Sequence, residues 1–234
     1  MSGILVLLRH GQSRSTLEER FTGWQDVGLT EEGREGAARH AARLLAGAGL
    51  VFDEAFSSCL SRAVSTLRIV LSEMGQAQVP VRASWRLNER HYGALQGLEK
   101  AEAEARYGDE QVRAWKRGYR FRPPAAESSG SGHPDHDERP KHPPVEPSPL
   151  TESLEDVSKR VLPYWFDTIS PSATGGRQAI VVAHGNSLRA LVKHLDGLSD
   201  DEVEDLEIPP AYPLVYELDD GANPIRSYRL GEAD

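Results

Sequence analysis

Two uninterrupted apolar runs, Ile4-Leu5-Val6-Leu7-Leu8 and Ala179-Ile180-Val181-Val182-Ala183, constrain the fold of this chain more than any other feature. A run without alternation offers no polar side to water, so as a strand it must be covered on both faces. Helical patterns supply the cover. One begins at Thr30, a good N-cap followed by Glu31 and Glu32, and Ala37, Ala38, Ala41, Leu44, Leu45 and Ala48 keep helical spacing until Gly47 and Gly49 close it. A short strand is expected over 52–58, then a helix over 59–74 with Leu60, Ala63, Val64, Leu67, Val70 and Leu71 on one face. Val79, Val81, Ala83, Trp85 and Leu87 alternate as a period-two strand that delivers Glu89 at its end. Residues 99–117 read as a polar helix, and another starts near Ser153 with a disturbance at Pro163. A helix over 187–195 follows the second apolar run, and 214–218 is a last strand. Strands alternating with helices predict an α/β fold: a single domain over 1–234 with a mostly parallel central sheet and helices on both faces. Residues 122–149, dominated by Pro, Ser, Gly, His and charges without periodicity, are expected to form a flexible surface insert.

Bulk properties narrow the function classes. The chain has 234 residues, 38% hydrophobic and 27% charged, as expected of an ordinary soluble domain. Its net charge of −9 argues against nucleic acid as a partner, because a phosphate backbone calls for a basic face. A single cysteine, Cys59, excludes an intramolecular disulfide framework and a cysteine-based zinc site. No run approaches the ~18 apolar residues of a membrane span. The N-terminus lacks a cationic leader pattern and reads as a strand, which makes the cytoplasm the expected compartment.

In open α/β sheets ligands gather at the carboxyl ends of strands, and there both apolar runs end in His-Gly. Leu8-Arg9-His10-Gly11-Gln12-Ser13 leads into a loop, whereas Val182-Ala183-His184-Gly185-Asn186-Ser187 opens a helix. Glycine lets backbone approach a ligand closely, and free N–H groups at a helix start are ready anion donors. An imidazole with a pKa near 6.5 keeps a neutral ring nitrogen free at neutral pH. Either histidine alone could be a hydrogen-bonded core residue. Two copies at strand ends, one preceded by arginine, argue against that core role and make His10 a candidate nucleophile. Elsewhere, His133, His136 and His142 with Asp135 and Asp137 lack regular ligand spacing, so no metal is expected there. Cys59 reads as a small buried residue, and Trp85, Trp115 and Trp165 as core or interface filling.

Arg9-His10-Gly11 resembles the signature of the histidine phosphatase superfamily. Phe21-Thr22-Gly23-Trp24, the run from Leu87 to Gly97 and Ala183-His184-Gly185-Asn186-Ser187-Leu188-Arg189-Ala190 are similar to the 2,3-bisphosphoglycerate-dependent phosphoglycerate mutases. The resemblance implies interconversion of 3-phosphoglycerate and 2-phosphoglycerate through phospho-His10, primed by 2,3-bisphosphoglycerate, with no metal and as a homodimer. It implies that Arg9, Arg62 and His184 hold the transferring phosphoryl oxygens and that Glu89 is the general acid/base. Arg90, His91, Tyr92, Lys100, Lys116 and Arg117 would grip the rest of the substrate, and Ser13, Thr16, Thr22, Gly23, Gly185 and Asn186 would complete the contacts. On this reading the cations of an acidic protein converge on one cavity, which focuses a small phosphorylated substrate toward it.

The sequence departs from that family at Gln12 (usually Glu), Ser15 (Trp), Thr16 (Asn) and Lys116 (commonly Arg). Gln12 removes a charge, Thr16 has shorter reach, and Lys116 loses the bidentate fork. The sequence ends at Asp234, where many relatives carry a longer covering tail, so easier water access to the phosphohistidine is expected. A phosphohistidine-type phosphatase acting on small phosphate esters is therefore the alternative reading, and a degenerate phosphate-binding module a third.

Overall fold

The computed structural model describes residues 2–127 and 149–231. Its centre is a sheet of order β3-β2-β4-β1-β5-β6, in which β1 (Gly3–Arg9), β2 (Glu54–Ser57), β3 (Val81–Ala83) and β4 (Gln178–Ala183) run parallel. β5 (Leu214–Leu218) lies antiparallel to β1, and β6 (Pro224–Arg229) pairs antiparallel with β5. The two apolar runs are neighbours in register, Leu5 opposite Ala179 and Leu8 opposite Val182. Each is buried throughout its apolar centre because alternate side chains enter different cores.

One core takes Leu5, Leu7, Phe56, Ala179 and Val181 against α6 (Leu154–Tyr164) and α7 (Gly185–Leu195). The other takes Val6, Leu8, Ala55, Ile180 and Val182 against α2 (Arg39–Gly47) and α3 (Ser61–Glu73). Each fully buried Leu or Val contributes about 1.5–3 kcal/mol of transfer free energy. The predicted architecture, a mostly parallel sheet with helices on both faces, is the one observed. No described helix is long and apolar enough to cross a membrane.

Several local expectations change. The strand through Val79 and Leu87 is short: β3 is an exposed edge, and Ser84 accepts from the Arg86 N–H to start a 3-10 turn, Trp85–Leu87. Glu89 therefore follows a turn, not a strand. The polar helix over 99–117 breaks at Gly108, whose φ of +83° only glycine adopts without strain, into α4 (Lys100–Tyr107) and α5 (Asp109–Arg117). Pro163 disturbs α6 as expected, and the chain widens into π-helical turns over Trp165–Ile169. Thr30 does cap its helix, accepting from the Gly33 N–H at 3.0 Å, but the first turns, Glu32–Ala38, are π-helical. The segment after His10 is not all loop: Ser13 caps one helical turn, α1 (Arg14–Leu17). β6 is mostly exposed and lacks an apolar pattern, and for that reason it is invisible in the sequence.

A third, smaller cluster, Phe21, Leu95, Ala103 and Val112, packs α4 and α5 against the loop before Gly23, with Tyr92 and Trp115 at its border. Of the insert expected over 122–149, residues 128–148 lie outside the described residues, and so do His133, Asp135, His136, Asp137 and His142. Its described ends are anchored: Ala94 N–H donates to Pro124 O at 2.8 Å, and Ala126 N–H to Leu150 O at 2.9 Å.

Candidate active site

β1, β2 and β4 end together, which places His10, Ser58 and His184 at one edge of the sheet. The rings of His10 and His184 meet edge-on with centroids 4.9 Å apart. His10 is 5% exposed, and its Nδ1–H donates to Gly11 O at 2.7 Å. That bond leaves Nε2 as the ring nitrogen that carries the lone pair. Burial, then the nearby charges of Arg62 and Arg9, hold the His10 pKa well below 6.5, so the ring is neutral at pH 7. His184 is depressed for the same reasons, burial first and then Arg62, His10 and Arg9. Gly11 is required by protein rather than ligand: a Cβ there would stand 2.4 Å from Gly33 O.

Arg62, in the first turn of α3, is almost fully buried and donates to Gly23 O and Gln25 O, each at 2.8 Å. Its pKa falls to about 10 through burial, opposed by Glu89 and Asp26, and it stays cationic. Arg9 donates from Nη1 to Ile208 O at 3.0 Å, and its buried Nε has no hydrogen-bond partner. Both guanidinium groups line a cleft of about 160 Å³ together with His10.

Glu89 lines the same cleft. Its Oε1 accepts from Arg90 N–H at 2.7 Å, Asn186 N–H at 3.2 Å and Asn186 Nδ2–H at 2.9 Å. The N-terminal turn of α7, expected to offer its amides to a ligand, thus gives one of them to the protein's own carboxylate. Asn186 Nδ2 also donates to Tyr92 OH at 3.0 Å, so Asn186 orients Glu89 and Tyr92. Behind the site, Arg160 binds Glu152 through Nε at 2.7 Å and Glu89 O through Nη2 at 3.0 Å. Trp24 Nε1–H donates to the same carbonyl at 2.5 Å.

Thr16, Thr22, Gly23, Tyr92, Lys100 and Lys116 also line the cleft, as does Arg20, which the sequence reading missed. Arg20 binds Gly97 O and Glu99, fastening the loop after α1 to the start of α4. Burial and the neighbouring Lys100 lower the Lys116 pKa. The other expected contacts are placed differently. Ser13 is buried and accepts from Thr16 N–H at 3.3 Å as a helix cap. His91 is buried, its Nδ1 accepting from Gly93 N–H at 3.1 Å and its backbone N–H donating to Glu152 at 2.8 Å. Arg117 forms an ion pair with Glu207. Arg90 is fully buried, donates to Lys116 O at 2.8 Å, and keeps Nε and Nη1 without partners. A Cβ at Gly185 would touch Arg9 and Glu89 only at ordinary contact distance.

Gln12, where the resembled family has Glu, accepts from the Thr30 hydroxyl at 2.9 Å through Oε1. Cys59 is buried with its thiol pushed up to about 11, as suits an inert residue. Among the described residues no group of three or more His, Cys, Asp or Glu is arranged to hold a metal ion.

This geometry has counterparts. Over the full length of both chains the fold is similar to a solved mycobacterial hydrolase (hydrolase 1), with 25% identity and a TM-score of 0.75. The native structure of mycobacterial glucosyl-3-phosphoglycerate phosphatase is 25% identical, matching 99% of this chain and 100% of its own with a TM-score of 0.72. Bacillus stearothermophilus YhfR shares the fold at 23% identity, with 99% and 98% coverage and a TM-score of 0.73. A family profile for the histidine phosphatase superfamily, branch 1, matches residues 5–132 and 129–230, spanning both His-Gly segments and every residue of the cleft. The chain belongs to that superfamily.

Proposed function

We propose that this protein is a phosphatase that hydrolyses small phosphate monoesters through phospho-His10. The observation that carries the reading is the neutral His10, with Nδ1 committed to Gly11 O, in a cleft that Arg9 and Arg62 also line. Nε2 attacks phosphorus and the ester P–O bond breaks. Arg9 and Arg62 meet the charge on the equatorial oxygens without reorganising. Glu89 gives the leaving oxygen its proton; it then takes one from the water that attacks the phosphohistidine, which releases phosphate and restores His10. Lys100 and Lys116 on the cleft wall favour a substrate with a second anionic group.

Hydrolysis, rather than the isomerisation implied by the resemblance to the mutases, is supported by two findings. The solved structures of comparable identity include two described as mycobacterial hydrolases and several of a glucosyl-3-phosphoglycerate phosphatase. In addition, groups the mutase reading assigns to the substrate are engaged elsewhere: Arg117 with Glu207, and Ser13 as a helix cap. Gln12, at one of the departures from that family, is bound to Thr30. A weaker grip on a phosphoglycerate lets it leave before it takes the phosphoryl group back from His10, and so leaves phospho-His10 to water.

The second reading, a mutase primed by 2,3-bisphosphoglycerate, is favoured by Glu89, Tyr92, Lys100 and Lys116, which share the cleft with His10. The primer fits the donor set: Arg9 and Arg62 would take one phosphate, and Lys100 and Lys116 the other, with unpartnered nitrogens on Arg9 and Arg90 in reserve. Bound there, it would supply the phosphoryl group that charges His10. To separate the readings, 3-phosphoglycerate with trace 2,3-bisphosphoglycerate, and a panel of other phosphate esters, are incubated with the enzyme and with His10→Ala. Free phosphate from the esters without 2-phosphoglycerate supports the phosphatase. Isomer formation with little phosphate supports the mutase, and neither product overturns both.

A further inference from the structure

Ser58 belongs to no motif in the sequence reading, yet it sits fully buried at the end of β2 with Oγ 2.7 Å from His184 Nε2. The same oxygen accepts from Leu60 N–H at 3.2 Å. Across the ring, His184 Nδ1 is buried without a hydrogen-bond partner. Two protons have to be placed on these atoms, one on the hydroxyl and one on the neutral imidazole.

If Nε2 carried the ring proton and gave it to Ser58, the Ser58 proton would be buried without an acceptor. If instead the hydroxyl donates to Nε2, Ser58 is satisfied on both sides and one N–H remains, at Nδ1. An anion in the site would be its acceptor. The His10 and His184 rings are 4.9 Å apart at their centroids, so a phosphoryl group on His10 lies within reach of His184.

We propose that Ser58 is a positioning residue whose hydroxyl holds His184 in the Nδ1–H tautomer and so turns a neutral histidine into a hydrogen-bond donor for the transferring phosphoryl oxygen. The two site histidines then divide the work by tautomer. His10 gives its Nδ1–H to Gly11 O and attacks through Nε2, whereas His184 accepts the Ser58 hydroxyl at Nε2 and keeps Nδ1–H for the phosphoryl group. Donation from a neutral ring is worth most in a buried site, where no proton has to be gained before the negative charge develops. This role rests on the phosphohistidine reading, but the tautomer does not.

The test reads the tautomer directly. Two-bond 1H–15N spectra of protein labelled at histidine are recorded without substrate for wild type, Ser58→Ala and Ser58→Thr, with His184→Gln to assign the ring. Wild type should show His184 as Nδ1–H; Ser58→Ala should shift it toward Nε2–H, and Ser58→Thr should restore it. On a phosphate ester, Ser58→Ala should lower kcat about 10–100-fold with KM within about threefold, and Ser58→Thr should recover most of the loss. An Nε2–H tautomer in wild type overturns the proposal, even if Ser58→Ala proves too unstable to study. So does a Ser58→Ala protein that keeps both the Nδ1–H tautomer and wild-type kcat. If no ester is turned over at all, the phosphatase reading fails while the spectra still decide the role of Ser58.

Discussion

Asn186 binds Glu89 twice, through its backbone N–H at 3.2 Å and its side-chain amide at 2.9 Å, and both bonds end on Oε1. Oε1 also takes the Arg90 N–H, which leaves Oε2 as the oxygen available for proton transfer. The carboxylate is thereby aimed and its two oxygens are made unequal, although residues 89 and 186 are remote in sequence.

Asn186→Ala removes the side-chain bond and leaves the backbone one. It should lower kcat about tenfold with a small change in KM, because the proton-transfer geometry suffers more than binding. Steady-state kinetics on any accepted ester checks this. An unchanged kcat would show that the backbone amide alone aims Glu89.

His10 and His184 are both neutral by burial, and this carries a stability consequence. Below pH 6.5 the unfolded chain takes up protons on these histidines that the folded chain refuses, so stability falls as the pH drops from 6.5 toward their depressed values. Above 6.5 neither state is protonated and the effect is absent. Thermal melts from pH 8 to pH 5 should therefore show Tm falling below 6.5, with a shallower slope in His10→Gln. For the same reason His10 should impose no acid limb on kcat/KM between pH 8 and 6.5.

Glu207 neutralises Arg117 and is held low in pKa chiefly by it, with Arg9 and Lys116 contributing. An anionic substrate that called on Arg117 would have to displace this contact. Glu207→Gln should lower KM about 3–10-fold for esters with a second anionic group and leave simple esters unchanged, in proportion to one freed charge–charge contact. Equal KM changes for both ester types would mean that Arg117 does not meet the substrate.

Lys116 stands on the cleft wall where the mutases commonly have arginine. Lys116→Arg restores the planar fork and should tighten 3-phosphoglycerate binding several-fold. Isothermal titration with His10→Ala protein, which cannot turn the ligand over, provides the measurement; an unchanged affinity would place the carboxylate elsewhere.

Arg160 and Glu152 form a buried pair at 2.7 Å, with side chains 7% and 5% exposed, and Arg160 also holds the Glu89 carbonyl. Arg160→Met strands Glu152 in the interior and should cost about 3–5 kcal/mol of stability. Urea denaturation should report the loss. The double variant Arg160→Met with Glu152→Leu should recover part of it, while kcat stays low because the Glu89 backbone is no longer held.

Much of the fold was legible from local pattern. The apolar runs at 4–8 and 179–183 required strands covered on both faces, and the helical stripes between them supplied the two cores. The His-Gly ends placed His10 and His184 at one sheet edge, because parallel neighbours finish on the same side. Elements without an apolar period escaped: β6 at the exposed edge, the 3-10 turn before Glu89, and the break at Gly108, where one backbone angle outweighs the helix propensity around it.

The sequence alone thus determined which candidate side chains meet in the cleft: a histidine, two arginines and a carboxylate. Tertiary structure decided how they are held and which expected contacts are spent within the protein. Ser58 meets His184, Asn186 meets Glu89, Arg160 meets Glu152 and Arg117 meets Glu207. A hydrophobic period reports only the side of an element that faces inward. Partner choice depends on which polar groups from distant segments are buried together, and an unpaired buried donor or acceptor is costly enough to fix tautomers and rotamers that no local pattern encodes.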